Sequence, residues 1–156
     1  FDTFKGIKRR LEVKGIAGGV TVIDDFGHHP TAIRETLKAL RLRYGREKIW
    51  AVFEPRSNTT RRNVFQQELA ESFADANAVV VSEVARLEQI PAGERLNPEK
   101  LMADIQASGK ESAYLPDANA IVAHLARHAQ GGDVVCVFSN GGFDGIHAKL
   151  LARLGR

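Results

Sequence analysis

Two carboxylates and two imidazoles follow directly on a run of β-branched residues early in the sequence. Asp24, Asp25, His28 and His29 come after the apolar run at residues 20–23, and a proline suited to the first turn of a helix follows them. Loops at the carboxyl ends of strands are where open α/β sheets bind their ligands. This density of polar side chains therefore indicates a ligand-binding loop. The alternative is that one Asp caps the helix and the histidines are solvated.

A second polar group is EPRSNTTRR at residues 54–62, which follows the apolar run at residues 49–53. Arg56 can place two N–H groups on one carboxylate or phosphate, and the hydroxyls of Ser57 and Thr59 can bond to the same anions. The composition predicts a site for an anionic ligand. The alternative is that Ser57 or Thr59 caps the next helix and the arginines are exposed.

A third group is SNGGFDG at residues 139–145, which follows the apolar run at residues 134–138. Glycines at such a turn let backbone amides approach an anion, and the start of the following helix adds positive partial charge. Ser139, Asn140, Gly141 and Gly142 are the candidate residues. Asn140 stands where a GxGxxG motif would have its first glycine, so a plain tight turn is the alternative.

Two histidines elsewhere have a spacing found in metal sites. His124 and His128 are four residues apart on a predicted helix, which can place two imidazoles on one ion. No third ligand is evident near them in the sequence. Surface histidines are the favoured interpretation, and no metal site is predicted.

The elements that must position these loops alternate between strand and helix. Apolar, β-branched runs predict strands at residues 20–23, 49–53, 78–82, 113–115 and 134–138, with an edge strand at residues 7–13. Gly15, Gly18 and Gly19 are expected in the turn after that edge strand. Capping residues, prolines and glycines predict helices at residues 30–44, 64–73, 98–108, 118–129 and 146–154.

Five strand-then-helix units after an edge strand predict an α/β fold. The expected architecture is a Rossmann-like three-layer domain: a mostly parallel six-stranded sheet with one antiparallel edge strand and helices on both faces. In a parallel sheet the carboxyl ends of the strands meet at one edge. All three polar loops are therefore expected on that edge.

The composition suits one globular domain with a substantial core, because 44% of the residues are hydrophobic and 26% are charged. Cys136 is the only cysteine and lies in the apolar run VVCVF, which excludes an internal disulfide and a zinc site built on cysteines. No apolar run is long enough to indicate a membrane span and no signal peptide opens the sequence, so a cytoplasmic protein without a membrane partner is expected.

The charge is uneven along the chain. Residues 1–60 carry 12 Lys and Arg against 7 Asp and Glu, whereas the remainder carries 10 against 12. No basic stripe interleaved with aromatic residues is present, so phosphate-bearing small ligands fit this balance better than nucleic acid does. The opening residues, which lack a methionine, favour a domain cut from something longer.

Four motifs resemble those of one enzyme family. KRRLE at residues 8–12, DDFGHHP at 24–30, FEPRSNT at 53–59 and SNGGFDGIH at 139–147 are similar to the C-terminal domain of the Mur ligases, the ATP-dependent amide-forming enzymes of peptidoglycan synthesis. The likeness covers essentially the whole chain. DDFGHHP is similar to the branch that adds L-alanine to UDP-N-acetylmuramate, whereas EPRSNT and SNGGF are more similar to the murein peptide ligase branch.

The resemblance also implies roles for individual residues. Arg10 aligns with an arginine that reaches the ATP phosphates, and Asp25 aligns with an aspartate on the ribose. The positions that line the incoming amino acid or peptide, or face it from a loop, are matched by Phe26, His28, His29, Arg56, Ser57, Thr59, Ser139, Asn140, Gly141 and Gly142. Where the alanine-adding branch has a His-Arg-Tyr run, this chain has Arg56-Ser57-Asn58, which argues against alanine.

The implied reaction begins with transfer of the ATP γ-phosphate to the lactyl carboxylate of UDP-N-acetylmuramate. The α-amine of the murein tripeptide, L-Ala-γ-D-Glu-meso-diaminopimelate, then attacks the acyl phosphate. ATP and Mg²⁺ are the implied cofactors, held mainly by a central domain that closes against this one. No GxxxxGK[ST] motif occurs in the sequence. The central ATP-binding and N-terminal UDP-binding domains are therefore expected outside these residues, and this fragment alone is expected to be inactive.

Two alternatives remain open at this point. A ligase of the same family that adds L-alanine or another amino acid would share most of the motifs. A stand-alone nucleotide-sensing module on the same fold is consistent with the self-contained size, and it predicts tight ATP binding by these residues alone.

Overall fold

The computed structural model describes residues 11–139 and 141–156. The strands are β1 (Glu12–Ala17), β2 (Val20–Asp25), β3 (Ile49–Phe53), β4 (Ala78–Ser82), β5 (Glu111–Leu115) and β6 (Val134–Phe138). The α-helices are α1 (Pro30–Tyr44), α2 (Gln66–Glu71), α3 (Pro98–Ala107), α4 (Ala118–His128) and α5 (Ile146–Leu154). Short 3₁₀ turns at residues 87–89, 92–94 and 143–145 lie in the connections.

The six strands form one sheet in the order β1-β2-β6-β3-β4-β5. β1 pairs antiparallel with β2, and the other neighbouring pairs are parallel. This confirms the predicted α/β fold with a mostly parallel sheet and one antiparallel edge strand. Since β6 lies between β2 and β3, the last strand of the chain sits at the centre of the sheet.

Two apolar clusters form the core, one on each face of the sheet. One face packs against α1, α2 and α3 through residues such as Leu37 and Leu101. The other face packs against α4 and α5 through residues such as Ile121 and Leu150. The central strands β3, β4 and β6 are buried along their whole length, as expected for a parallel sheet covered on both faces.

Three helices begin with a side chain that accepts a hydrogen bond from the first turn. Asn97 accepts from the amide of residue 100 and Asp117 from that of residue 120, as the sequence predicts. His29 caps α1, because its Nδ1 accepts from the Thr31 amide at 3.1 Å. The alternative of an Asp cap at this helix is wrong, since Asp24 and Asp25 are the last two residues of β2 and are buried.

Several element bounds differ from those predicted. β1 runs to residue 17 with a bulge between Val13 and Gly15, so Gly15 lies in the strand and only Gly18 and Gly19 form the turn. Residues 7–10 of the predicted edge strand lie outside the described residues. α2 is shorter than residues 64–73, because those flanking residues form turns, and β5 begins two residues earlier than predicted. No helix in the described parts of the chain has the length and apolar character required to span a membrane.

A polar cluster lies at the amino edge of the sheet, opposite the predicted site. The indole of Trp50 donates to Asp133 Oδ2 at 3.0 Å, and Lys48 Nζ lies 4.4 Å from the centre of the Trp50 ring. His124 contacts Trp50 edge-on, and its ring lies 4.4 Å from that of His128, tilted by 43°. Burial lowers the pKa of His124, and His128 and Arg127 lower it further against the opposing effect of Glu111.

Replacing His124 with Gln should reduce the loss of stability on acidification. In the folded protein the pKa of His124 lies below its usual value near 6.5. The unfolded chain therefore binds the proton first as the pH falls through 6.5, which destabilises the fold until the lower folded pKa is passed. We expect urea unfolding at pH 7.5 and 5.5 to show a smaller difference for His124→Gln, by less than about 1 kcal/mol because the ring is only partly buried and solvent screens its charge. An equal or larger difference would contradict this.

Candidate functional site

Three loops meet at the carboxyl edge of the sheet, following β2, β6 and β3. Asp25 is in register with Phe138, and Phe138 with Phe53, so these three strands end at one level. The helix after β6 packs on the opposite face from the helices after β2 and β3. Connections that leave neighbouring strands towards opposite faces open a crevice between them, which is the usual ligand site of such sheets.

Hydrogen bonds join the three loops into one unit. The Ser139 amide donates to the Asp25 carbonyl at 3.3 Å, and the Glu54 amide donates to the Phe138 carbonyl at 3.1 Å. The hydroxyl of Ser139, which is fully buried, donates to Glu54 Oε1 at 2.5 Å. It also accepts from the Gly141 amide at 3.2 Å. The loop at residues 139–145, which we call the glycine loop, is therefore fixed by a carboxylate from the neighbouring strand end.

The buried carboxylate of Asp25 fixes the loop after β2 through hydrogen bonds. Its Oδ1 accepts from the Gly27 amide at 2.7 Å, while its Oδ2 accepts from the Leu11 amide at 3.0 Å and the Thr36 hydroxyl at 3.1 Å. The residue is fully buried. A Cβ on Gly27 would lie 2.7 Å from Oδ1, so this position requires glycine. One carboxylate thus ties together the start of β1, the loop and α1.

The aromatic and imidazole side chains of that loop lie at its surface. Phe26 is 37% exposed and contacts His28 edge-on, with ring centres 5.6 Å apart. His28 Nδ1 lies 3.1 Å from the Phe26 carbonyl. His29 contacts Phe65 at 4.8 Å, which links this loop to the connection before α2. Because His29 Nδ1 accepts the capping hydrogen bond, its Nε2 carries the proton when the ring is neutral.

Arg56 lies across the glycine loop. A Cβ on Gly141 would lie 2.9 Å from Arg56 Nε, so the guanidinium can reach this position only because residue 141 is glycine. Arg56 Nη1 lies 3.9 Å from Glu54 Oε2, and the arginine side chain remains 51% exposed. A partly exposed guanidinium at the crevice can bind a carboxylate or phosphate through two parallel hydrogen bonds.

Ser57 and Thr59 have different surroundings. Ser57 Oγ accepts from the Thr60 amide at 3.0 Å and lies 2.7 Å from the Thr60 hydroxyl, so it closes the turn at residues 57–61. Ser57 and Thr59 do not cap α2, which begins at residue 66 without a side-chain cap. Thr59 is exposed, and Gly142 is also exposed, with nothing within 4 Å of a Cβ built on it.

Three side chains of this edge, those of Asp24, His147 and Glu54, have contacts that the sequence motifs do not predict. Consecutive strand residues face opposite sides of a sheet, so Asp24 faces α5 where Asp25 faces α1. There, His147 Nε2 of α5 lies 3.1 Å from Asp24 Oδ1, and both side chains are largely buried. The strand alternation could have revealed Asp24. Glu54 and His147 lie within the motifs at residues 53–59 and 139–147, but only the folded structure shows their partners.

A cavity of about 420 Å³ opens beside Arg56 at the ends of β3, β4 and β5. Its carboxylates come from Glu54, Glu83, Asp117 and Asp144. Asp117 is already engaged as the cap of α4, and Asp144 accepts from Lys149 at 2.7 Å. The mixture of one guanidinium with several carboxylates suits a ligand that carries both a carboxylate and an amine.

Within residues 11–139 and 141–156, no three potential metal ligands from His, Cys, Asp and Glu come close enough to hold an ion. His124 and His128 lie at the opposite edge of the sheet from the crevice. Two of the predicted site residues, Arg10 and Asn140, lie outside the described residues. The predicted convergence of the three loops therefore rests on Asp25, Arg56 and Ser139.

Comparison with known proteins places this geometry in a family. Residues 9–141 match the model of the Mur ligase, glutamate ligase domain. The chain is 39% identical over 155 residues to the UDP-N-acetylmuramate--L-alanyl-gamma-D-glutamyl-meso-2,6-diaminoheptandioate ligase of Escherichia coli K12. It is 35% identical over 141 residues to the UDP-N-acetylmuramate--L-alanine ligase of Acetivibrio thermocellus. These matches cover 99% and 90% of this chain.

The solved structure of a murein peptide ligase from Psychrobacter arcticus 273-4 superposes on 97% of this chain with a TM-score of 0.82 and 35% identity. This chain covers 31% of that structure. It likewise spans 32% of the length of the Escherichia coli ligase and 29% of that from Acetivibrio thermocellus. The chain thus corresponds to about a third of each protein it matches.

Replacing Ser139 with Ala should destabilise the protein, because it removes the donor to the largely buried Glu54 carboxylate. Hydrogen bonds to charged groups contribute about 1.5–3 kcal/mol, and we expect a loss of this size in the free energy of unfolding in urea. Ser112→Ala is the matched control, since the buried Ser112 hydroxyl has no hydrogen-bond partner among the described residues. Equal stabilities of the two variants would show that the Ser139 contact contributes nothing.

Proposed function

This chain belongs to the family of the Mur ligase, glutamate ligase domain, and from that premise we propose that it is the C-terminal domain of an ATP-dependent peptide ligase. The proposed reaction joins L-alanyl-γ-D-glutamyl-meso-diaminopimelate to UDP-N-acetylmuramate. The observation that carries this choice is the 39% identity, across 99% of this chain, to a ligase named for those substrates.

The chemistry requires an amine and an acyl phosphate to be held together away from water. ATP with Mg²⁺ supplies the phosphoryl group that activates the muramate carboxylate. The role proposed for this domain is to orient the incoming peptide so that its α-amine reaches the activated carbonyl. Fixing that geometry converts an encounter between two molecules into a reaction within one complex.

Arg56 is proposed as the main anchor of the peptide. The tripeptide carries several carboxylates, and Arg56 presents a partly exposed guanidinium at the crevice. Glu54 holds the glycine loop through Ser139, which keeps Gly141 in place under Arg56. The residues proposed to line the rest of the peptide site are Phe26, His28, His29, Ser57, Thr59, Ser139, Asn140, Gly141 and Gly142.

The nucleotide is proposed to approach the β2 side of the same edge, towards Arg10 and Asp25. Asp25 stays a predicted ribose ligand. Its carboxylate is fully buried and bonded to Leu11, Gly27 and Thr36, so a ribose contact requires the loop after β2 to move. We propose that the loop moves when this domain closes against another domain.

The remaining domains are proposed to lie elsewhere in the full-length protein. The sequence has no GxxxxGK[ST] motif, and its relatives are about three times as long. We infer that an N-terminal UDP-binding domain and a central ATP-binding domain complete the enzyme, and that this domain alone does not catalyse ligation. A cytoplasmic location is part of the same proposal, because its nucleotide substrates are cytoplasmic.

The second candidate is ligation of L-alanine to UDP-N-acetylmuramate. The DDFGHHP motif and the 35% identity to an alanine ligase support it. Alanine carries one carboxylate and one amine, whereas the diamino-acid end of the tripeptide carries two carboxylates and a further amine, so the tripeptide engages more of the charged groups that line this cavity. That difference favours the tripeptide.

The full-length enzyme should form product from UDP-N-acetylmuramate, ATP and the tripeptide. Phosphate release with the tripeptide should exceed that with L-alanine by at least about tenfold in kcat/KM, since several charged contacts are lost with alanine. Preference for alanine would select the second candidate. Tight binding of ATP by residues 1–156 alone would instead support a nucleotide-sensing module.

Replacing Arg56 with Ala in the full-length enzyme should raise the KM for the tripeptide by about tenfold or more and leave the KM for ATP nearly unchanged. Arg56→Lys should fall between the wild type and Ala, because an ammonium keeps the charge and loses the two-pronged geometry. Arg46→Ala is the control, since Arg46 is exposed in the turn after α1. An effect confined to ATP would mean that Arg56 faces the nucleotide.

A further inference from the structure

A small pocket beside Arg56 is lined almost entirely by arginine. Its lining consists of Arg56, Arg61, Ala85 and Arg86, and we call it the arginine pocket. Its volume is about 150 Å³, which holds about five water molecules at their share of liquid volume. This space suits one small anionic group. It is too small for a nucleotide base and sugar.

The pocket is built from two connections that Arg61 holds together. Arg61 Nη1 donates to the carbonyls of Ala85 and Arg86 at 3.3 and 3.1 Å. Arg61 Nε is buried and has no hydrogen-bond partner among the described residues. A buried N–H without a partner is costly, so the Arg61 side chain is held here by its contacts to the two carbonyls.

Arg86 occupies an unusual backbone conformation at the rim. Its φ of 53° and ψ of 38° are left-handed, which is uncommon for a residue other than glycine or asparagine. The Arg61 hydrogen bond to its carbonyl holds that conformation. In the described part of the chain, the Arg86 guanidinium has no ion-pair or hydrogen-bond partner. Strained backbone of this kind concentrates at ligand sites.

The charges around the pocket favour an anion. No carboxylate belongs to its lining. Glu54 Oε2 lies 3.9 Å from Arg56 Nη1, and the other carboxylates of this edge line the neighbouring cavity, which shares Arg56 and Ala85 with the arginine pocket. Three guanidinium groups around one cavity repel one another unless a negative charge lies between them. A carboxylate and a phosphate both satisfy this requirement.

The position of the arginine pocket along the sheet favours a peptide carboxylate over a nucleotide phosphate as the bound anion. Arg56 and Arg61 follow β3 and Arg86 follows β4, whereas Asp25 ends β2 on the far side of β6. The peptide's amino end must reach the activated carboxylate beside the nucleotide. Its diamino-acid end, which carries two carboxylates, therefore extends away from β2 towards β3 and β4.

We propose that Arg61 and Arg86, with Arg56, form a subsite for a carboxylate at the diamino-acid end of the incoming peptide. This inference rests on the proposed function, because it takes the acidic tripeptide as the substrate. Arg61 and Arg86 then determine specificity: they favour a peptide that is anionic at this end over one that is neutral there.

The test uses the full-length enzyme and compares Arg86→Gln and Arg86→Asn with the exposed-arginine control Arg46→Gln. Asparagine tolerates the left-handed conformation, so equal effects of the two Arg86 variants exclude a purely backbone cause. We expect both to raise the KM for the tripeptide about tenfold, with kcat and the KM for ATP unchanged. Arg86→Lys should recover part of the loss.

A tripeptide without free carboxylates on its diamino acid tests whether Arg86 acts through one of those carboxylates. With the tripeptide amidated at both carboxylates of the diamino acid, wild type and Arg86→Gln should differ by less than about twofold, because the interaction is already absent. An Arg86 variant that matches Arg46→Gln on the unmodified tripeptide overturns the inference and leaves the proposed function intact. A rise confined to the KM for ATP assigns the pocket to phosphate and also overturns it. A wild-type enzyme that does not use the tripeptide rejects the proposed function itself.

Discussion

The common level at which β2, β6 and β3 end is the constraint on which the rest of this edge depends. Parallel pairing places Asp25, Phe138 and Phe53 side by side, and the backbone bonds from Ser139 to Asp25 and from Glu54 to Phe138 continue that pairing past the strands. Three loops that are distant in sequence thereby share one rigid base. A shift of one residue in any of the three strands would separate them and reverse the faces on which their side chains lie.

Acidic and basic side chains lie at different depths at this edge of the sheet. The carboxylates of Asp25 and Glu54 lie at or below the surface and accept hydrogen bonds from the loops, while Asp24 lies beside His147. The arginines lie further out, where Arg56 and Arg86 remain exposed. Buried carboxylates bonded to backbone amides and hydroxyls fix the loops, and the guanidinium groups stay available for an anionic ligand. This arrangement suits a domain that presents a binding surface to a substrate held partly by another domain.

In the glycine loop, Gly141 allows the Arg56 side chain to approach the backbone closely. The sequence suggested backbone amides that approach a phosphate directly. In the structure, Gly141 lies under Arg56 and its amide donates to Ser139. The loop leaves room for the Arg56 guanidinium, and the hydrogen bond from Ser139 to Glu54 holds the loop in place. A side chain at residue 141 would displace Arg56, so the position of Arg56 depends on the glycine loop.

The sequence by itself determined the alternation of strands and helices, the two-faced burial of the sheet and the edge on which the polar loops lie. These features follow from local hydrophobic periodicity and from the geometry of parallel pairing, which require no knowledge of individual contacts. Only the tertiary structure decided that Asp25 is buried as a support for its loop, that His29 caps α1 and that Arg61 and Arg86 share a pocket with Arg56. Those outcomes depend on contacts between side chains far apart in the chain, which no local pattern encodes.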